Sequence, residues 1–125
     1  MAMKFMDDPE AADWLTQFGG GPDDFEWDAG NRTKNRKHEV AQSDVEALFH
    51  HPLVFVGRIV EPVHDEDRWL VLGQDTKGRQ LALVFTRRGP RLRPISCRSM
   101  RRNERLIYEE TLYENEETDR YGRSD

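Results

Sequence analysis

The hydrophobic pattern of the chain changes at about Leu53. Before that position, apolar residues are sparse and recur at helical spacing, whereas apolar or alternating runs typical of strands follow it. Turn-forming residues separate the later runs, which favours an antiparallel meander of about four strands. Pro94 removes a ladder donor, so the last strand is predicted to lie at an edge or to be bulged. The predicted strands are Leu53-Val-Phe-Val, Trp69-Leu-Val-Leu, Leu81-Ala-Leu-Val-Phe-Thr and Leu92-Arg-Pro-Ile-Ser-Cys.

Helices are predicted both before and after these strands in the sequence. Asp28 is placed to cap a first short helix over residues 29–38, after a possible short strand at 25–28. Ser43 followed by Glu46 has the spacing of a capping box that would open a second short helix. A C-terminal helix is predicted to follow Ser99. The expected fold class is therefore α+β, with two short N-terminal helices, the sheet and one C-terminal helix.

The two ends of the chain differ from its middle. Residues 1–24 form an acidic extension in which a short helix from Asp8 precedes a glycine-rich linker, residues 25–112 are the predicted domain, and residues 113–125 are expected to be a disordered acidic tail. Cys97 is the only cysteine, which excludes an internal disulfide. No apolar run is long enough to cross a bilayer, so no membrane association and a cytoplasmic location are expected.

Charge is distributed unevenly along the sequence. Residues 1–28 hold one lysine against eight acids, residues 29–108 hold sixteen basic residues against nine acids, and residues 109–125 hold two arginines against seven acids. The formal net charge of −5 conceals this basic middle. A basic centre between acidic ends fits a nucleic-acid-binding core whose flanks are solvating tails or screens over the basic face.

Arginine supplies most of that positive charge. Nine arginines and no lysine lie between Gly78 and Tyr108. A guanidinium presents a planar fork of donors that matches two phosphate oxygens at once, so this choice predicts an RNA-binding face. The alternative for any single arginine is a solvated strand position or an ion pair, for which the candidate acids are Glu61, Asp65, Asp67 and Glu104.

Several short motifs occur in an order that resembles the BrnT toxins. The resemblance covers about Phe25 to Glu110. Its motifs are Phe25-Glu-Trp-Asp, the segment from Asn31 through Asn35-Arg-Lys-His-Glu-Val, Phe49 with Pro52-Leu, Asp67-Arg-Trp-Leu-Val-Leu-Gly, Val84-Phe-Thr-Arg-Arg-Gly, Arg93-Pro-Ile-Ser-Cys-Arg, Arg102-Asn-Glu-Arg and Tyr108-Glu-Glu.

This resemblance implies a small bacterial ribonuclease toxin of a type II toxin-antitoxin pair, with a RelE-like fold. Such a toxin cleaves RNA without a metal or other cofactor and inhibits translation and growth. It would be neutralised by a BrnA-like antitoxin with a ribbon-helix-helix domain, and DNA would be contacted only through that antitoxin. The alternative is a catalytically weak or inactive RNA-binding or interaction protein that keeps the fold.

Candidate site residues follow from this chemistry and from the motif positions. Metal-free cleavage needs proton transfer and cations that stabilise the charge of the transition state. His38 is the candidate for proton transfer, unless it only satisfies carbonyls at a helix end. The predicted catalytic residues are His38, Lys37, Arg68, Arg88 and Arg98. The predicted RNA-binding residues are Arg87, Arg91, Arg93, Thr86, Ser96 and Arg102, although strand hydroxyls are more often structural and Arg102 has Glu104 as an alternative partner. The histidines lack a metal-binding signature, so no metal site is predicted.

Overall fold

The computed structural model describes residues 3–34 and 38–122. In chain order its main elements are β1 (Lys4–Met6), α1 (Pro9–Gln17), α2 (Ala29–Lys34), α3 (Gln42–Ala47), β2 (Val54–Glu61), β3 (Trp69–Gln74), β4 (Gln80–Arg88), β5 (Arg91–Ser99) and α4 (Arg102–Gly122), with single 3₁₀ turns at Pro22–Asp24 and Leu48–His50. Most of the described helices precede or follow the strands β2 to β5 in the sequence, and none of them lies between those strands.

The sheet is an antiparallel meander in the order β1-β2-β3-β4-β5. The α+β class and the antiparallel arrangement predicted from the sequence are confirmed. The strand number was underestimated by one, because Lys4–Met6 in the acidic extension pairs with the outer side of β2. β3 lies at the centre and is buried from Trp69 to Gly73, as expected of a strand covered on both faces.

β5 is an edge strand with an irregular ladder. The register between β4 and β5 shifts between Val84 and Phe85, and Phe85 then pairs with Pro94. Both alternatives predicted for Pro94 are therefore found, because β5 is the last strand of the sheet and the bulge accommodates the missing donor. Beyond this edge, Phe25 makes only an isolated parallel bridge to Leu92, where the sequence had predicted a short strand.

Each face of the sheet packs against a different set of helices. On one face, the cluster includes Ala11 and Leu15 of α1, Val45 of α3, and the strand residues Val71, Leu81, Leu83, Phe85, Leu92 and Cys97. On the other face, Tyr108 of α4 joins Val54, Leu70, Leu72, Ala82 and Met100. Burial raises the pKa of Cys97 to about 12, so its thiol is neutral at physiological pH and serves packing.

The acidic extension packs onto the sheet through α1. The Asp8 carboxylate accepts a hydrogen bond from the Ala11 N–H at the start of α1, and its second oxygen accepts from Trp69 Nε1 at 2.8 Å. The bond from Trp69 holds the pKa of Asp8 below its ordinary value. Ala11 and Leu15 are buried in the core, so residues expected to precede a linker contribute to the main hydrophobic cluster.

Replacing Leu15 with alanine should therefore lower the free energy of unfolding by about 2 to 4 kcal/mol, because it removes a core side chain that is only 8% exposed. Thr16→Ala at the neighbouring exposed position is the control and should change stability by less than about 0.5 kcal/mol. Denaturant unfolding measures both. Equal stability of the two variants would contradict the packing of α1.

The helix starts differ in part from the predictions. Asp28 and Asn31 cap α2 reciprocally, each accepting a hydrogen bond from the other's N–H at 3.1 and 2.7 Å, which confirms Asp28 as the cap. The capping box predicted for α3 was wrong by two positions. The Asp44 carboxylate accepts from the Ala41 N–H at 2.9 Å, whereas Glu46 accepts from Trp27 Nε1. A tertiary partner thus takes the carboxylate that local spacing had assigned to the cap.

The C-terminal helix begins close to the predicted position but continues further. Glu104 in its first turn accepts from the Arg101 N–H at 2.7 Å, which is the role expected of an acid at a helix start. α4 continues to Gly122, beyond residue 113 where the acidic composition suggested disorder.

Candidate functional site

Three arginines converge on an open cleft at one end of the sheet. Arg68 immediately precedes β3, Arg88 ends β4, and Arg93 lies near the start of β5. The cleft has a volume of about 300 Å³ and is lined by Gly30, Asn31, Glu66, Arg68, Arg88, Arg93 and Ile95. The three arginines, which are up to 25 positions apart in the sequence, therefore share one site.

The strand register explains this convergence. Trp69, which follows Arg68, pairs with Phe85, and the next residue of β4, Thr86, pairs with Arg93. The tight turn at Gly89 has a φ of +61°, a left-handed conformation that suits glycine, and it places Arg88 at the end of the same hairpin. The three arginines are thus fixed by backbone pairing between adjacent strands, which gives the site a rigid base.

Carboxylates surround two of these arginines. Glu66 binds Arg88 Nη2 through both oxygens at 3.1 and 3.2 Å. Glu26 lies 3.4 Å from Arg88 and 3.0 Å from Arg93, and Asp28 lies 2.9 Å from Arg93. The hydrogen bond from Arg93 lowers the pKa of Asp28, and the same bond is the main cause that raises the pKa of Arg93. An anionic ligand would compete with these carboxylates for the guanidinium donors.

Arg68 differs from its two neighbours. Its Nε is buried and has no hydrogen-bond partner among the described side chains, and none of the ion pairs described for the chain includes Arg68. A guanidinium has five N–H donors, and leaving a buried one unsatisfied is unfavourable. The side chain is half-buried in the cleft wall, and the carboxylates described around the cleft bind Arg88 and Arg93 instead of Arg68.

Asn31 fixes the opposite wall of the cleft. Its side-chain amide is buried and donates to the Glu26 carbonyl at 2.9 Å and to the Pro94 carbonyl at 3.1 Å. These bonds hold α2 against β5. Sequence reasoning placed Asn31 in a motif but gave it no role, although its spacing of three from Asp28 carries the signal of a helix cap. Glu26, Asp28 and Glu66 were also missed as partners of the arginines, because their pairing depends on tertiary structure.

Three other predicted RNA-binding residues have protein partners. Arg87 lies on the opposite side of β4 from Arg88, where it binds Glu10 at 2.8 Å and stacks on Trp14, 4.7 Å from its ring centroid. Arg91 donates to the Phe25 carbonyl at 2.9 Å. Thr86 is buried, and its hydroxyl donates to the Asp67 carbonyl at 2.8 Å. None of the three lines the cleft.

Arg98, Ser96 and Arg102 also lie outside the cleft. Arg98 is five residues beyond Arg93, a distance of roughly 16 Å along an extended strand. It donates to both carboxylate oxygens of Glu104 at 2.7 and 3.0 Å, the ion pair weighed as an alternative from the sequence. Arg102 is exposed at the start of α4, and Ser96 is half-buried in β5. The structure therefore separates the predicted arginines into groups at different ends of β5.

His38 is exposed and does not line the cleft. The carbonyl of its neighbour Glu39 accepts a hydrogen bond from Arg79 Nη1 at 2.9 Å. Arg79 precedes β4 at the end opposite Arg88, and nine extended residues span roughly 30 Å. The structure thus does not bring His38 together with the cleft arginines. Lys37, the other predicted catalytic residue of this region, lies outside the described residues.

Neither a metal cluster nor a membrane span is found in the described ranges. No group of three or more histidine, cysteine, aspartate or glutamate side chains there is arranged to hold a metal ion. None of the helices described is long and apolar enough to cross a membrane.

A comparison with known protein families identifies the family of this chain. The family model "Ribonuclease toxin, BrnT, of type II toxin-antitoxin system" matches residues 27–104, more than half of the chain. The chain belongs to the BrnT toxin family. The match includes every residue that lines the cleft, whereas β1 and α1 precede it. A search of individual curated proteins finds no match.

Membership in the BrnT family confirms the resemblance inferred from the sequence motifs. It implies ribonuclease chemistry at the level of the family, RNA as the substrate class and an antitoxin protein as the partner. The BrnT match also gives the arginine cleft a chemical context, because RNA is a polyanion and guanidinium groups bind its phosphates.

Proposed function

We propose that this BrnT-family chain is an active endoribonuclease toxin that binds the phosphate to be cleaved in the cleft of Arg68, Arg88 and Arg93. The observation that carries the proposal is the convergence of Arg68, Arg88 and Arg93 in one open cleft. A phosphate oxygen can bind the guanidinium of Arg68, for which no carboxylate partner is described. A RelE-like arrangement of the α+β fold belongs to the same proposal.

The proposed chemistry uses the arginines to stabilise negative charge. Attack by a ribose 2′-hydroxyl on the adjacent phosphate increases the charge on the phosphoryl oxygens, and preorganised donors lower the free energy of that transition state. Arg93 retains donors beyond those that bind carboxylates, because its two described bonds to carboxylates both use Nη1. Arg88 binds Glu26 through Nη1 and Glu66 through Nη2, so a phosphate would compete with these carboxylates for it. Arginine performs this role without a metal, so the proposed reaction is metal-independent.

The proposed biological effect is inhibition of translation and growth through RNA cleavage in the cytoplasm. A BrnA-like antitoxin with a ribbon-helix-helix domain is the proposed neutralising partner, and DNA is contacted only through it. Acidic side chains on the antitoxin would suit the cleft, since Glu66, Glu26 and Asp28 already occupy its arginines in the free chain.

These three carboxylates also favour the second candidate function, that of a weakly active or inactive RNA-binding protein. They oppose the three arginine charges of the cleft with three negative charges. RNA would then have to displace them before its phosphate reached Arg88 or Arg93. RNA binding without cleavage is the result that distinguishes this candidate.

The proposed function predicts a cleavage reaction that survives chelation. The full-length chain should cut a mixed-sequence single-stranded RNA oligonucleotide equally well with and without EDTA. Replacing the ribose on the 5′ side of the cut with 2′-deoxyribose should stop cleavage there, because the nucleophile is missing. Product analysis by electrophoresis and mass spectrometry should detect a 2′,3′-cyclic phosphate. Loss of activity in EDTA would contradict metal independence, and binding without cleavage would support the second candidate.

A further inference from the structure

Glu66 is the one acidic side chain that lines the arginine cleft within the described residues. It lies in the loop between β2 and β3, two positions before Arg68, and its carboxylate is partly exposed, at 38%. Glu26 and Asp28 also bind cleft arginines, but they hold them from outside the cleft lining. Glu66 is therefore the carboxylate that an RNA bound in this cleft would meet.

We propose that Glu66 is the general base of the RNA cleavage reaction, an inference that rests on the proposed function. Its carboxylate binds the same Arg88 Nη2 that would bind the phosphate, at 3.1 Å. In a reactive conformer of RNA, the attacking 2′-oxygen lies within about 3 to 3.5 Å of phosphorus. A phosphate bound by Arg88 in that conformer would bring the 2′-hydroxyl close to the Glu66 carboxylate, which contacts the same guanidinium.

The Glu66 carboxylate takes the proton of the 2′-hydroxyl while the 2′-oxygen forms a bond to phosphorus. The bond between phosphorus and the 5′-oxygen breaks, and the leaving 5′-oxygen takes a proton from water in the open cleft. The products are a 2′,3′-cyclic phosphate and a 5′-hydroxyl. Glu66 returns its proton to solvent, and no redox partner is needed.

A structural role for Glu66 makes a different prediction. If the carboxylate only oriented Arg88, then Glu26 would act in the same way, because it also binds Arg88 and binds Arg93 in addition. Glu26→Gln is thus the matched variant for loss of arginine orientation. Glu10→Gln removes a carboxylate from Arg87, which does not line the cleft, and is the neutral control.

The experiment measures single-turnover cleavage of the mixed-sequence RNA oligonucleotide by the full-length wild type, Glu66→Gln, Glu66→Asp, Glu26→Gln and Glu10→Gln. Affinity is measured separately with an all-2′-deoxy version of the oligonucleotide, and thermal unfolding checks the fold of each variant. Glu66→Gln should be about 10² to 10⁴ times slower than the wild type. Its affinity should be equal or higher, since a competing negative charge is removed. Glu66→Asp should retain an intermediate rate.

A pH profile separates proton transfer from arginine orientation. The wild-type rate should rise with pH on its acidic limb, and that limb should be absent in Glu66→Gln but present in Glu26→Gln and Glu10→Gln. A Glu66→Gln rate within tenfold of wild type, or an equal loss in Glu26→Gln, would overturn the assignment while leaving the ribonuclease intact. An inactive wild type would overturn the proposed function itself, and this inference with it.

Discussion

Replacing Glu104 with alanine is expected to lower the free energy of unfolding by about 3 kcal/mol, because it leaves Arg98 without its bidentate partner. The Glu104 side chain is only 6% exposed and accepts from Arg98 at 2.7 and 3.0 Å and from the Arg101 N–H at 2.7 Å. The change therefore removes both an interior ion pair and the first-turn contact of α4. Arg98 retains some access to water, at 17% exposure, which limits the loss.

The same carboxylate predicts an acid dependence of stability. Burial alone would raise the pKa of Glu104, but hydrogen bonds from Arg98 and Arg101 outweigh it and leave the pKa below its ordinary value of 4.5. A group with a lowered folded pKa stabilises the fold above its unfolded pKa and loses that contribution as pH falls through the folded value. Wild-type stability should therefore decline below about pH 4.5, and Glu104→Ala should lack this part of the decline.

Urea unfolding across a pH series measures both effects. Glu109→Ala is the matched control on the same helix, because its carboxylate is exposed and its described hydrogen bond is a long one of 3.4 Å from Gln80. It should change stability by less than about 0.5 kcal/mol. If Glu104→Ala were as stable as this control at neutral pH, the ion pair would not anchor α4.

Replacing Arg88 with alanine is expected to slow RNA cleavage by about 10² to 10³-fold, the loss typical of removing one preorganised donor to a transition-state oxygen. Arg88 is 41% exposed, so the variant should fold. Its two carboxylate partners would remain, Glu66 in the cleft lining and Glu26 beside it, and the loss of the arginine would leave one negative charge uncompensated. RNA affinity should therefore fall together with the rate.

Arg105→Ala is the control for a lost positive charge. Arg105 is exposed on α4, and its guanidinium donates to the Met100 carbonyl rather than lining the cleft. Its rate should stay within about threefold of wild type, since screened charges at a distance contribute little. Equal losses in both variants, measured with the same RNA at one salt concentration, would indicate a general charge effect instead of a specific site.

Much of the fold could be predicted from the local sequence pattern. The elements that were missed depend on contacts with residues that are distant in the sequence. The runs beginning at Leu81 and Leu92 predicted the β4–β5 hairpin because alternation and turn chemistry are properties of neighbouring residues. β1 was missed because three residues, Lys4–Met6, carry too little pattern to indicate a strand, and they become one only by pairing with β2. α1 was predicted as a helix, but its packing depends on distant contacts such as the one between Asp8 and Trp69.

The candidate site could also be predicted only in part from the sequence. Composition indicated that arginine is the relevant residue type, yet only the strand register brings Arg68, Arg88 and Arg93 together. Arg98 is also an arginine of β5, but it lies at the other end of that strand, where the first turn of α4 supplies Glu104 as its partner. Sequence spacing does not distinguish these two environments. The distinction requires the three-dimensional positions of the acids, which is why Glu66 was not predicted as a site residue.

The most direct test of the ribonuclease proposal is growth and RNA integrity after tightly controlled bacterial expression of the wild type, Arg88→Ala and Arg105→Ala at equal protein levels. We expect the wild type and Arg105→Ala to arrest growth and to produce RNA fragments with 2′,3′-cyclic phosphate ends, and Arg88→Ala to do neither. Arrest and fragments with Arg88→Ala at the same level, or intact RNA with the wild type, would contradict an active ribonuclease centred on the arginine cleft.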